Sequence, residues 1–377
     1  MSARTVVYLS PSVTLFGARQ VLLALVRELD RDRYTPAAVV LDEGPLTEAL
    51  RAEGIPVEVV RIGPWRKAKT WPFIPWRLWR IARFCRSVGA EILHANDFWA
   101  TPWALAAARF AGRPTVVASV HNRPGRSRLR RYKLHRAAML HVISKAVQSE
   151  FDHWPDRDER TRLIYSGVDL APFESAQPGE FRKSESIPRG AFLVTVPAHI
   201  SRRKNQLMLI EALGLLTDAS PRIEVALVGG SKEDDYLAEI RRRADELGVA
   251  DRLHVVGFRR DMGAVYAESD LVALVSAEEG LGLVAAEGMA AGRAVVGTRV
   301  GGIPEVVADG ETGVLVDEGD VGSLAEAVRR LAGDAELRRG LAVSGRGRAL
   351  ELFSARKMAG KMMELYDAAM ASGRASQ

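Results

Sequence analysis

Two glutamates eight positions apart, Glu279 and Glu287, bracket the glycine-spaced stretch "EEGLGLVAAEG" at 278–288. Gly280 and Gly282 let the backbone come close to a ligand and aim amide N–H groups at it. A helix starting near Leu283 would add the partial positive charge of its N-terminus. That combination is a seat for phosphate. A carboxylate beside phosphate cannot be its ligand, so each glutamate is expected to accept hydrogen bonds from hydroxyls. Hydroxyls next to a diphosphate suggest a nucleotide sugar. The spacing alone equally allows Glu279 to cap a loop and Glu287 to serve the helix dipole.

These residues need a frame that brings strand ends together. Short apolar runs at 5–9, 37–41, 57–62, 91–95, 115–120, 140–144 and 162–168 alternate with helix-length segments. The rhythm resumes at 192–196, 224–230, 253–258, 271–276, 294–298 and 313–316. Strands apolar throughout and separated by amphipathic helices predict parallel sheets covered on both faces. The turn-rich "SAQPGEFRKSESIPRG" at 175–190 is the expected linker. The reading is an α/β chain of two Rossmann-like domains, 1–174 and 175–357, with the site expected where carboxyl ends of strands face a cleft.

Composition narrows the function. A chain of 377 residues suits two domains, and 47% hydrophobic with 27% charged residues describes a globular protein. The single cysteine, Cys85, excludes an internal disulfide and fits a reducing compartment. No run reaches the ~18 apolar residues of a membrane span, and "MSARTVVYLS" has no signal-like apolar stretch, so a cytoplasmic location is expected. The net charge of +6 is uneven: residues 51–150 hold 19 Lys+Arg against 5 Asp+Glu.

The segment "EEGLGLVAAE", followed by "GMAAGRAVVGTRVGGIPEVVADGETGVLV" through residue 316, resembles the retaining GT-B glycosyltransferases of the family 4 type. "FGARQVLLALVREL" (16–29), "SVHN" (119–122), "IYSGVDLAPF" (164–173), "HISRRKNQLMLIEAL" (199–213), "LVGGSKEDD" (227–235) and "VVGFRRDM" (255–262) resemble further segments of that family. The resemblance implies that Glu279 holds sugar hydroxyls, assisted by the amides of Gly280, Leu281, Gly282 and Leu283. It implies that Glu287 binds the ribose, that Lys204 pairs with the diphosphate and that His121 lies against the donor sugar. Gly17 would approach the diphosphate from the first domain. His199 stands where the family usually has arginine, so that charge is expected from Arg202 or Arg203, or from His199 itself when protonated, which would make activity sensitive to pH. The segment from about 358 to 377 is expected to return to the first domain as a helix.

The resemblance also implies transfer with retention of anomeric configuration. No metal is expected: the "DRD" stretches at 30–32 and 156–158 read as solvated surface, and the histidines lack metal-ligand spacing. Charge on the leaving nucleotide would fall to Lys204, a neighbouring arginine and the helix start.

The basic half carries a second signal. On a helix beginning near Pro75, Leu78, Ile81, Ala82, Cys85 and Val88 share one face, and Trp76, Trp79, Arg80, Arg83 and Arg86 the other. With Arg128, Arg130 and Arg131 this face suits an anionic bilayer surface and a lipid-linked acceptor. A plain solvated basic face is the alternative, and the absence of any nucleic-acid module argues against nucleic acid. The leading expectation is a glycosyltransferase of cell-surface polysaccharide, lipopolysaccharide or glycolipid synthesis, acting from the cytoplasm or the inner membrane face. The alternatives are a nucleotide-sugar epimerase or hydrolase and a non-catalytic nucleotide-sugar-binding subunit.

Overall fold

A computed structural model describes residues 3–10, 18–63, 72–231 and 233–375. Gly17 lies outside the described residues. The chain divides into two compact units, Met1–Val168 with Ala355–Gln377, and Asp169–Ser354.

The first unit is built on β1 (Arg4–Ser10), β2 (Tyr34–Val40), β3 (Val57–Val59), β4 (Ala90–Ala95), β5 (Thr115–Val120), β6 (Met139–Val142) and β7 (Thr161–Leu163). They form one parallel sheet in the order β3-β2-β1-β4-β5-β6-β7. The second unit holds β8 (Phe192–Pro197), β9 (Ile223–Val228), β10 (Leu253–Gly257), β11 (Leu271–Leu274), β12 (Ala294–Thr298) and β13 (Val314–Val316). Its parallel sheet runs β10-β9-β8-β11-β12-β13. Each sheet reverses its winding beside its first strand, the point at which open α/β sheets gather ligands at their carboxyl ends.

Valine-rich strands buried along their length are the outcome of helices packing on both faces. In the second unit every residue of β8, β9 and β11 is buried. The core there joins Val194, Val196 and Val225 to Leu209, Leu213 and Ile240 of the covering helices. Each apolar run of the sequence forms a strand, although β3, β7 and β13 stop at three residues.

Two boundaries differ from the sequence reading. The division falls after Val168 because residues 169–174 pack on the second unit, where Phe173 meets Tyr266 edge-to-face at 5.5 Å. The expected linker at 175–190 is likewise docked. Phe181 and Ile187 are buried, and the Glu268 carboxylate accepts hydrogen bonds from the N–H groups of Gly179, Phe181 and Arg182. Turn formers there build a fitted surface segment rather than a tether.

At the other end, the helix Ala355–Ala375 joins the first unit. Ala355 N–H bonds Val168 O at 2.9 Å, and Asp367 accepts from Arg4, Arg33 and the Tyr34 hydroxyl, each at 2.7 Å.

Candidate functional site

The loop after β11 carries Glu279, Gly280, Leu281 and Gly282 into the helix Leu283–Ala290. Gly282 takes a left-handed conformation (φ 92°) to make that entry, which a side chain would strain. The helix start has no side-chain cap and no acidic residue in its first turn. Its first N–H groups therefore lack an intrahelical partner and form a seat for an anion.

Lys204 stands beside that seat, at the end of the 3-10 turn Arg202–Lys204 that follows β8. Its ammonium pairs with the Glu279 carboxylate, and both side chains are largely shielded, with 17% and 14% exposed. Glu279 also accepts from Gly280 N–H at 3.1 Å and Ser276 Oγ at 3.4 Å. The two loops are joined by Ala277 N–H on Arg203 O at 3.0 Å. Buried Gln206 ties the first of them down through its amide on His199 O at 2.9 Å. The seat thus holds one cation and one carboxylate, each occupied by the other.

Glu287, one turn into the helix, is only 9% exposed and takes a 2.7 Å hydrogen bond from the Tyr266 hydroxyl. Burial pushes its pKa up to about 7, against which the Tyr266 hydrogen bond works only partly. A carboxylate with one hydrogen-bond donor on it keeps capacity to accept others.

Sequence reading missed three supports of this loop. Tyr266 carries no motif and reaches Glu287 only through packing. Gly301 and Gly302 back the loop so closely that a Cβ at Gly301 would stand 1.8 Å from Glu279 O, and one at Gly302 2.5 Å from Gly280 O. Their adjacency in "TRVGGIPE" was the available signal. Thr298 Oγ1 donates to Ser276 O at 2.7 Å and fixes the start of the turn.

The remaining expected site residues are distributed unevenly. Arg202 is committed to the helix Asp234–Glu246, pairing with Glu239 at 2.7 Å and Asp235 at 3.0 Å. Arg203 is exposed, with a guanidinium nitrogen 3.4 Å from Glu278 O. His199 sets Nδ1 3.4 Å from Gly230 O. In the first unit, His121 follows β5 and donates from Nε2 to Asn96 O at 2.9 Å. Arg128, Arg130 and Arg131 lie exposed on the short helix Arg126–Arg131, anchored by buried Leu129.

On the helix Ile74–Ser87, Ile81, Ala82 and Cys85 are fully buried, and burial pushes the Cys85 thiol up to about 12. Trp76 and Trp79 are half exposed. Arg80 and Arg83 lie over their rings, each 5.1 Å from the centroid. Arg80 also pairs with Glu58 at 2.9 Å. Among the described residues no helix is long and apolar enough to cross a membrane.

Two parallel α/β units, with sheets of seven and six strands, define the GT-B fold class. Residues 178–348 match the family described as "Glycosyl transferases group 1", and residues 17–172 match "Glycosyltransferase Family 4". The chain belongs to this glycosyltransferase family.

The GDP-mannose-dependent alpha-(1-6)-phosphatidylinositol monomannoside mannosyltransferase of Mycolicibacterium smegmatis is 33% identical over 278 residues, covering 68% of this chain and 71% of that protein. The D-inositol 3-phosphate glycosyltransferase of Corynebacterium glutamicum is 33% identical over 214 residues, 54% of this chain and 50% of that protein. Several curated relatives, among them this one, are matched over only about half their length. The crystal structure of Anabaena HepE in complex with UDP has the same fold, with a TM-score of 0.83 and 25% identity over 97% of this chain and 100% of that one.

Proposed function

We propose that the protein is a retaining, metal-independent glycosyltransferase that moves a sugar from a uridine or guanosine diphosphate donor to a saccharide or lipid-linked acceptor in cell-surface glycan or glycolipid synthesis. The observation that carries this reading is the Lys204–Glu279 pair at the uncapped helix start. The diphosphate takes Lys204 and the helix N–H groups. Glu279, released from the lysine, accepts hydrogen bonds from the sugar, and Glu287 accepts them from the ribose. His121 is assigned to the donor sugar. Charge developing on the leaving diphosphate is stabilised by Lys204, freed from Glu279 when the donor binds, and by the helix N-terminus. Support for the donor class comes from the UDP complex of the Anabaena relative and the GDP-mannose dependence in the name of the mycobacterial one.

The acceptor is proposed to lie on an anionic membrane surface. Trp76 and Trp79 are exposed beneath stacked arginines, and the exposed Arg128, Arg130 and Arg131 add charge on the same unit. Changing Trp76 and Trp79 to Ser should abolish pelleting with anionic vesicles, and undiminished pelleting would remove the membrane from the proposal.

The decisive experiment measures nucleotide release from UDP- and GDP-sugars with and without a lipid or saccharide acceptor, and follows the product's anomeric coupling by NMR. Acceptor-dependent release with retained configuration supports the reading. Acceptor-independent release points instead to a hydrolase or epimerase.

A further inference from the structure

A row of buried polar groups crosses the sheet of the first unit, a place where parallel α/β proteins ordinarily put aliphatic side chains. Tyr8 on β1 is in register with His94 on β4, and Ser119 on β5 is in register with His141 on β6. All four are at most 2% exposed. The C-terminal helix contributes Tyr366, also fully buried.

These side chains form one continuous hydrogen-bonded chain. The hydroxyls of Tyr8 and Tyr366 are 3.0 Å apart, and that of Tyr366 is 2.7 Å from His94 Nδ1. His94 Nε2 is 2.8 Å from Ser119 Oγ, Ser119 Oγ is 2.8 Å from His141 Nδ1, and His141 Nε2 is 2.8 Å from Ile164 O.

The last contact fixes the direction of the rest. A carbonyl oxygen only accepts, so His141 carries its proton on Nε2, and its Nδ1 must accept from Ser119. Ser119 Oγ then accepts from His94 Nε2–H, and the Tyr366 hydroxyl, which donates to the Tyr8 hydroxyl, stands 2.7 Å from His94 Nδ1. Reversing the chain would bring a bare His141 nitrogen against a bare carbonyl oxygen. His141 is therefore held in its Nε2–H tautomer.

The chain ends beside His121. The His141 and His121 rings meet edge-to-face, with centroids 6.1 Å apart and planes at 89°. His121 stands two residues beyond Ser119, and its partner Asn96 two residues beyond His94. The two hydrogen-bonded pairs are thus successive rungs between neighbouring chain segments.

We infer that His94, Ser119 and His141, held at one end by Tyr366 of the C-terminal helix, are positioning residues that fix the ring orientation of His121. The inference rests on the glycosyl-transfer reading for its kinetic consequence but not for its structural one. An isolated His141 could turn over or exchange tautomers. The directional chain removes both freedoms, and with them the play of the His121 ring packed on its edge.

The test uses the full chain labelled with 15N-histidine, the imidazole tautomers being read from long-range 1H–15N spectra. In the wild type, His141 and His121 should each show a single Nε2–H form. Ser119→Ala cuts the chain in the middle. It should shift and broaden the ring resonances of His141 and His121, the Nε2–H form of each being kept by its carbonyl partner, and lower kcat by about tenfold, with the donor KM changed less than about twofold. Ser119→Thr keeps the hydroxyl and should restore both. Should the alanine variant fail to fold, Tyr366→Phe removes the anchoring hydroxyl while keeping the ring, and the His121 spectrum is read in the same way. A His121 spectrum that stays unchanged while that of His141 responds overturns the inference. Absence of turnover with every nucleotide sugar would count against the enzymatic reading alone, because the spectra still decide the positioning role.

Discussion

Glu287 in the second unit and His94 and His141 in the first are comparably buried, yet they are treated in opposite ways. Glu287 has one hydrogen bond, from Tyr266, and burial raises its pKa to about 7. Each ring nitrogen of His94 and His141 has a partner, and burial pushes the pKa of His141 down to about 4 and that of His94 well below 6.5. The lesson concerns what buried polarity is for. A group left short of partners is held in readiness for a ligand, whereas a row of neutral groups with complete hydrogen bonding holds something else in place. In the proposed function Lys204 and Glu279 follow the first pattern in ionic form, each standing in for the ligand assigned to the other.

The sharpest way to break this contrast is Lys204→Met, which removes the cation and leaves Glu279 shielded without its counter-charge. Turnover should fall by about 10²–10³-fold, as for loss of one preorganised transition-state donor. A loss below about fivefold in steady-state assays would mean that the pair is structural.

Glu287→Gln tests the same contrast through stability. The folded-state pKa of Glu287 lies above the ordinary 4.5, so between pH 4.5 and 7 the unfolded chain gives up a proton that the folded chain still holds. Folding therefore loses stability as pH rises through that window, by an amount on the order of 3 kcal/mol. Gln keeps an acceptor for Tyr266 and carries no charge. The variant should be more stable than the wild type by about 2–3 kcal/mol at pH 8 and equal to it near pH 4.5, while its nucleotide affinity drops. Urea unfolding at the two pH values measures this, and equal stability at pH 8 would contradict it.

The histidines should give the opposite slope. Their folded-state pKa values lie below the ordinary 6.5, so the unfolded chain binds protons first as pH falls. Stability of the first unit is complete above pH 6.5 and is lost toward pH 4. Hydrogen exchange in β4, β5 and β6, corrected for intrinsic rates, should show protection falling by about 1–2 kcal/mol between pH 7 and pH 5.5, with β11 and β12 not following. Parallel losses in both sheets would erase the distinction between the units.

The smallest effect is expected at Arg202. Its ion pairs with Glu239 and Asp235 are solvent-exposed and screened, so they hold it only weakly. Arg202→Ala should change UDP or GDP affinity less than about twofold by calorimetry. A larger loss would show that Arg202 leaves those acids for the diphosphate.

Much of the second unit was legible in the sequence. Continuous apolar runs announced β8 through β13, and "EEGLGLVAAEG" announced the turn, the helix start at Leu283 and both glutamates, because loop and helix are contiguous. Lys204 could be attached to that turn only through the family resemblance, since it lies on a different strand end. Arg202 and Arg203 were indistinguishable in "SRRKN"; the acids at 235 and 239, one helix away, separate them. In the first unit the strands were equally visible. The histidines were not understood, because isolated polar residues inside apolar runs carry no spacing signal.

By itself the sequence determined the alternation of elements, the two parallel sheets and the local turn that carries Glu279 and Glu287. Each depends on interactions between near neighbours in the chain, and periodicity records those. Tertiary structure alone decided that Lys204 meets Glu279, that Tyr266 meets Glu287 and that Tyr366 meets His94 across 272 residues. Such meetings depend on sheet order and helix docking. A polar side chain finds its partner there because burial makes the unpaired state costly, and nothing along the chain marks the two positions for one another.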